Sequence, residues 1–346
     1  MKEFQSLYKG QDDMSVETGS VKFAILGTAR IATKVGKAIH KTEGAELELI
    51  TSRTLENARS WQAEHGANLA AEGYEVALSN PEIQAVYIPL PPSMHKEWAV
   101  KAAEAGKHVL CEKPAALNSA EVEEMLAACR ANGVQFMDGT MWSHTPRAQD
   151  MKTILTSGEL GKLRRVVSAF SIQMPETPDQ HRYIPKLGGG ALYDIGWYCV
   201  RAALWAFDAV PTHVYASATY HRGVDKNATA IMWFADDRVA SFDCGYDLTR
   251  RKWMEVVGES GNLVCDDFLS PWDLEKQRFW THDDQGIATE HQSRSVVQES
   301  SMVESMVQIV RSGELNRYWP QIALDNQRVV DALMLSASDG VKVEVK

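Results

Sequence analysis

Through the first part of the chain, short apolar runs alternate with longer segments whose apolar positions recur every three or four residues. The stretch VKFAILGTARIATKVGKAIH (21–40) begins as a strand, turns at Gly27 and continues with Ile31, Val35 and Ile39 on one helical face. AELELITSRT (45–54) reads as the next strand. AVYIPLPPSMHKEWAVKAAEAGKHV predicts a strand, a proline-rich turn and a helix capped at Ser93 and ended by Gly106. HVLCEKPAALNSAEVEEMLAACRANG repeats that order, with a cap near Asn118 or Ser119 and a stop at Gly133, and VQFMDGTMW is a further strand. Strands alternating with helices of this length imply a parallel sheet wound with helices on both faces. From about residue 150 the pattern becomes alternation within long strands: KLRRVVSAFSIQ, THVYASATYH, ATAIMWFADDRVASFDCGYD and RKWMEVVGESGNLVCDD, with a hairpin turn at Asp236-Asp237. Consecutive strands without helices between them predict an antiparallel sheet with one face on helices and one open, a ready dimer surface. SSMVESMVQIVRSG and ALDNQRVVDALMLSASDG read as amphipathic helices. The expected fold is α/β: a doubly wound parallel sheet over residues 20–145, then an α+β domain with an open, mainly antiparallel sheet over 146–346.

At 346 residues the chain exceeds the size at which one core keeps growing, which agrees with two domains. No window approaches the apolar length of a membrane span. Residues 1–19 lack the apolar core of a secretory signal and read as a leader or a docking arm. A net charge of -10, with no basic cluster beyond groups such as Arg250, Arg251 and Lys252, argues against nucleic acid as a partner. Five cysteines without CxxC spacing fit reduced thiols in a cytoplasm. The ten histidines form no HxxxH or HExxH pair, so no metal is expected.

A strand, a glycine turn and a helix together make an anion site, because the free N–H groups of the helix start face the turn. Here the motif is G-x-A-x-x-A (Gly27, Ala29, Ala32), and Gly27, Thr28, Ala29, Arg30 and Ile31 are the expected cradle for a dinucleotide pyrophosphate. Ala29 stands where the usual fingerprint has its middle glycine. An NAD site would place an acid at the end of the second strand, whereas this chain has Thr51, Ser52 and Arg53. Hydroxyls and a guanidinium suit a 2′-phosphate, so NADP is expected over NAD; Glu48, the rival, looks internal to the strand. Ligands of such sheets lie at the carboxyl ends of the strands, which also nominates the loops Pro89 to His95 and Glu112 to Pro114.

GGGALYDIGWY (188–198) places Asp194 and Tyr198 four apart, on one face of a helix. Together with GTARIA after the first strand and Glu112-Lys113-Pro114 after the fifth, this segment resembles the Gfo/Idh/MocA oxidoreductases. Those enzymes pair a Rossmann domain with an open-sheet substrate domain. Tyrosine at 198, where most members have histidine, is similar to the branch of dimeric dihydrodiol dehydrogenases, NADP-linked D-xylose dehydrogenases and glucose–fructose oxidoreductase. The resemblance implies that Tyr198 exchanges the substrate proton, that Lys113 favours its phenolate, and that Asp194 orients a substrate hydroxyl. A phenol with a pKa near 10 is otherwise a poor base at neutral pH, and a neighbouring ammonium corrects that.

His95 is expected to border the nicotinamide pocket and Glu112 the cofactor. Trp142 is expected either to line the substrate or to pack between domains, and Arg182 either to meet substrate or cofactor oxygens or to lie on the surface; His144 and Arg147 are weaker candidates. The function expected is a cytoplasmic, homodimeric NADP-dependent dehydrogenase of a sugar, with aldose C1 oxidation ahead of trans-dihydrodiol oxidation. A non-catalytic NADP(H)-binding sensor or scaffold is the alternative, and redox-assisted glycoside cleavage a more remote one. A pure binder would need none of Lys113, Asp194 and Tyr198.

Overall fold

The computed structural model describes residues 19–177 and 180–346, so the leader expected at 1–19 lies, but for its last residue, outside the described residues. The chain forms two compact units, one reaching to Gly139 and including Glu299–Leu324, the other comprising Thr140–Gln298 and Asp325–Lys346.

In the first unit, six strands form a parallel sheet: β1 (Val21–Leu26), β2 (Ala45–Ser52), β3 (Leu69–Glu72), β4 (Ala85–Ile88), β5 (His108–Cys111) and β6 (Phe136–Asp138). Their order is β3-β2-β1-β4-β5-β6. The order reverses direction between β1 and β4, and it is at such a switch that open α/β sheets leave a ligand crevice. Between the strands run α1 (Arg30–Lys41), α2 (Leu55–His65), α3 (Glu75–Ser79), α4 (Pro92–Glu104) and α5 (Ser119–Ala131). In α1, Val35 and Ile39 are buried as the periodicity predicts, with Ala32 and Ala38 beside them. The start of α4 differs from that expected: it begins at Pro92 with Pro91 as cap residue, so Ser93 lies inside the first turn. A proline there loses no bond, since the first-turn N–H has no partner within the helix. In α5 the Asn118 side chain accepts the Glu121 N–H at 3.0 Å, so Asn118 rather than Ser119 is the cap.

In the second unit, α6 (Pro146–Ser157) precedes β7 (Leu163–Gln173). α7 (Trp197–Phe207), buried at all but one of its positions, packs on β7. The sheet continues with β8 (His213–His221), β9 (Val224–Trp233), β10 (Val239–Gly245), β11 (Asp247–Gly258), β12 (Gly261–Cys265), β13 (Arg278–Asp283) and β14 (Ala288–Gln292). The long helices α8 (Gln298–Ser312) and α9 (Tyr318–Asp339) follow, and the final strand β15 (Val343–Glu344) returns to β8. The nine strands are ordered β14-β13-β12-β11-β7-β10-β9-β8-β15 and are antiparallel except where β7 and β10 run parallel. Asp236 and Asp237 both take positive φ in the β9–β10 turn, the geometry that matches hairpin twist. On the outer face Tyr215 and Ile231, opposite one another on β8 and β9, are exposed at 37% and 36%.

The return of residues 299–324 to the first unit is not visible in periodicity. It is held at the edge of the parallel sheet by Gln135, whose amide donates to Asn316 O and accepts the Asn316 N–H at 2.8 Å. No helix among the described residues is long and apolar enough to cross a membrane.

Candidate active site

The carboxyl rim of the parallel sheet is built first by Gly27. Its φ of +110° suits glycine, its N–H reaches Thr51 O at 2.8 Å, and a Cβ there would stand 3.0 Å from Leu90 Cδ2. Ala29 caps α1 with φ -61° and offers no side-chain acceptor, and the first turn carries no acid. The helix therefore opens with N–H groups that no side chain caps, on its positive end. The φ of Ala29 is ordinary for any residue, so alanine in place of glycine costs no backbone strain. Thr28 and Ile31 are half-buried beside the turn and Arg30 is exposed. At the end of β2, Ser52 is buried and Arg53 is exposed. Glu48 lies within β2 and takes the Asn68 amide at 2.8 Å, so it is not a rim residue. The anion-receptive helix start and a cation without an acid at the β2 end fit a dinucleotide bearing a 2′-phosphate.

Two predicted rim residues face inward instead. The His95 ring is fully buried, with Nε2 2.7 Å from Leu90 O and Nδ1 3.0 Å from Pro114 O. Both nitrogens face backbone carbonyls, and the one N–H of the neutral ring serves one of them at a time, so the ring packs between the turn after β4 and the turn after β5. Burial lowers its pKa, partly offset by these two carbonyls. Glu112 also points into the fold: its Oε1 accepts the Tyr87 hydroxyl at 2.6 Å and would lie 2.9 Å from a Cβ at Gly139. Burial raises its pKa against the pull of Tyr87 and Lys113. Pro89, after β4, is buried. Lys113 is half-buried at the rim, before a cis bond to Pro114.

In the second unit, the helix over residues 191–207 opens with a π turn, Leu192–Gly196, before α7. Such turns are rare and occur frequently at functional sites. Asp194 lies in this turn, 8% exposed, and its Oδ2 accepts Arg182 Nε at 2.6 Å. The Asp194 carboxylate is the main reason that the guanidinium pKa is pushed up. The Tyr246 hydroxyl stands 2.9 Å from Gly190 O and 3.2 Å from the same Asp194 oxygen, and its one proton serves one of them at a time. Burial, with Asp194 second, raises the Tyr246 pKa well above 10. Tyr198, one turn on, is half-buried with its ring edge-on to Phe170, centroids 5.5 Å apart, and within electrostatic reach of Arg182. The structure thus brings Arg182, Asp194 and Tyr198 together and adds Tyr246. Tyr246 carried no signal in the sequence, where it ends an ordinary strand segment.

Trp142 corrects the expectation for it. It is 1% exposed and packs edge-to-face on Trp205 and Phe268, all three within the second unit, so it is core rather than substrate wall. His144 is likewise interior, with burial pushing its pKa down to about 3, and Arg147 is locked to the buried Asp267 at 2.5 Å. Among the described residues there is no group of three His, Cys, Asp or Glu able to hold a metal.

A parallel sheet with an open helix start, followed by a mixed sheet carrying a carboxylate–tyrosine helix, defines a dinucleotide-linked oxidoreductase class. Comparison with known proteins gives the family. The profile described as "Oxidoreductase family, NAD-binding Rossmann fold" matches residues 21–140, and the GFO/IDH/MocA C-terminal domain matches 148–264. A D-xylose 1-dehydrogenase (NADP(+)) of Haloferax volcanii is 31% identical, covering 93% of this chain and 99% of its own. A 3-ketoreductase from Actinomadura kijaniata, solved with NADP and TDP-benzene, superposes with a TM-score of 0.86 at 28% identity, over 92% of this chain and 98% of that one. The aldose–aldose oxidoreductase of Caulobacter crescentus, complexed with glycerol, gives 0.87 at 25% identity over 94% and 99%. The chain belongs to the Gfo/Idh/MocA oxidoreductase family.

Proposed function

We propose that this protein is an NADP-dependent dehydrogenase that moves hydride between the nicotinamide and a carbinol carbon of a sugar, with C1 of an aldose the first choice. The observation that carries the reading is the helix start at Leu192–Tyr198, where Asp194 is held by Arg182 and Tyr198 stands in the next turn. A protein that only bound the dinucleotide would have no use for this arrangement. Relatives named as dehydrogenases of D-xylose and of scyllo-inositol support a sugar or related polyol as substrate. A trans-1,2-dihydrobenzene-1,2-diol dehydrogenase of Xenopus tropicalis, 27% identical, keeps cyclic diols as the second choice.

The N–H groups at the start of α1, with Gly27 and Thr28, would hold the pyrophosphate, and Arg53 would read the 2′-phosphate. The nicotinamide would supply the hydride acceptor. Tyr198 takes the hydroxyl proton of the substrate, and the Lys113 ammonium favours its phenolate. Asp194, fixed in direction by Arg182, accepts a hydrogen bond from a second hydroxyl. His95 and Glu112 act from below, bracing the loops that carry the rim. Solved forms of the Actinomadura ketoreductase include a tyrosine-to-phenylalanine mutant and lysine-to-alanine and lysine-to-glutamate mutants, which supports giving these two residue types the chemistry.

The test is NADP+ reduction across a panel of aldoses and dihydrodiols. Reduction with an aldose is expected, lowered about 10²–10⁴-fold by Tyr198→Phe. Tight NADPH binding with no substrate turned over would refute the dehydrogenase and favour a sensor. Two further readings belong to the proposal. The exposed Tyr215 and Ile231 pair supports a homodimer through the outer sheet face, to be checked by sedimentation of Ile231→Lys. The five cysteines are free thiols, which suits a cytoplasmic site.

A further inference from the structure

Helices usually take a side-chain cap from the residue just before them. The helix of Asp194 and Tyr198 has no such cap of its own, because glycines 188–190 lead into it and Ala191 has no polar atom. Its acceptor comes instead from a strand. Asp225, near the start of β9 and 1% exposed, accepts the Leu192 N–H on Oδ2 at 2.6 Å, from 33 residues away in sequence. The contact needs Gly190, whose φ is +130° and where any Cβ would overlap Asp225 Oδ1. That Oδ1 has no hydrogen-bond partner among the described atoms. On the neighbouring strand side, Tyr246 donates its N–H to Lys226 O at 3.0 Å and sets its hydroxyl against Gly190 O. Asp225 in β9 and Tyr246 in the bend between β10 and β11 therefore grip residues 190–192 together.

We infer that Asp225 is a positioning residue for the reaction: by holding the Leu192 N–H from β9 it sets the height and rotation of the helix start that carries Asp194 and Tyr198. The inference rests on the function proposed above. The physical need for such an anchor lies in the π turn. A helix entered through one wide turn has a nearby alternative, the ordinary α continuation, which rotates Asp194 relative to Tyr198. A fixed acceptor oxygen at the first N–H selects one of the two. A misplacement of reacting groups on the order of 1 Å can cost about 10²-fold in rate, which is the size of effect available here.

The experiment compares Asp225→Ala, which removes the acceptor, with Asp225→Asn, which keeps an oxygen for the Leu192 N–H. Asp225→Ala should lower kcat about 10²-fold with NADPH affinity unchanged. Asp225→Asn should stay within about ten-fold of wild type, because it keeps an acceptor oxygen for the Leu192 N–H. Placed on Tyr198→Phe, Asp225→Ala should add only roughly a few-fold, because both changes remove one unit of function. A merely structural role would lower stability and multiply with Tyr198→Phe. Full kcat in the alanine variant, an asparagine variant as damaged as alanine, or fully multiplicative losses would each overturn the inference. Hydrogen exchange of the amides at 192–196 separates this from failure of the proposed function, since it needs no substrate. Protection should fall in Asp225→Ala and persist in Asp225→Asn; equal protection in both variants and wild type overturns the inference. Should Asp225→Ala not fold, Asp225→Ser, whose shorter side chain leaves its oxygen short of the Leu192 N–H, takes its place: reduced kcat with unchanged NADPH affinity and lost protection supports the inference, and wild-type kcat overturns it.

Discussion

Asp225→Asn should make the protein more stable above pH 7 and leave it unchanged near pH 4. Burial raises the Asp225 pKa from 3.8 to about 7, against the pull of the Leu192 N–H and its neighbours. Between those two values the folded state holds a proton that the unfolded state has released. The stabilisation from that proton is complete at low pH and is lost as pH rises through about 7. At about 1.36 kcal/mol per tenfold change in proton affinity, the gap from 3.8 to about 7 is worth roughly 4 kcal/mol. Asparagine keeps the oxygen and has no charge to desolvate, so the variant escapes this loss. The charged hydrogen bond from Leu192 is already counted in that pKa, so the gain should be roughly 4 kcal/mol on the alkaline side, fading to nothing as pH falls. Urea unfolding of both proteins at several pH values, followed by tryptophan fluorescence, reads the difference directly. A gain that does not vary with pH, or a variant less stable than wild type at pH 8, would refute the reasoning. With the expected gain, activity and stability rank the two side chains in opposite orders at high pH, as expected where a group is kept for function.

Gly190→Ala should destabilise the protein by about 1–3 kcal/mol, since φ of +130° and the Asp225 carboxylate both oppose a Cβ; an unchanged melting temperature would contradict the contact. Arg53→Ala should cost about 1.5–3 kcal/mol of NADPH affinity and little for NADH, measured by titration of each; equal losses would show that Arg53 does not read the 2′-phosphate. Lys113→Met should lower kcat at least as far as Tyr198→Phe, and the double variant should be little worse than the worse single one in steady-state assays. Multiplicative losses would mean that the proton leaves by another route.

Several features are legible in the sequence because they are local. The turn at Gly27, the missing acid at the end of β2 and the two sheet rhythms each follow from residues close in sequence, whose backbone needs and periodicity a single strand or helix already expresses. The helix start that carries Asp194 and Tyr198 is legible for the same reason, since the two are four residues apart.

What the sequence could not show was direction and partnership across long separations. His95, in the first turn of α4, and Glu112, after β5, lie beside the rim, yet their side chains turn inward to backbone carbonyls and to Tyr87, because a buried polar group must find a partner and the nearest ones lay beneath the surface. Trp142 read equally as substrate wall or packing, and only Trp205 and Phe268 decided for core. The π turn depends on where a helix is anchored at its start, and its anchors, Asp225 and Tyr246, lie more than thirty residues on. The chain by itself determined which chemistry is available and which strands and helices carry it. Tertiary structure decided which carboxylates hold the fold, because burial and hydrogen-bond satisfaction are settled only when distant strands meet.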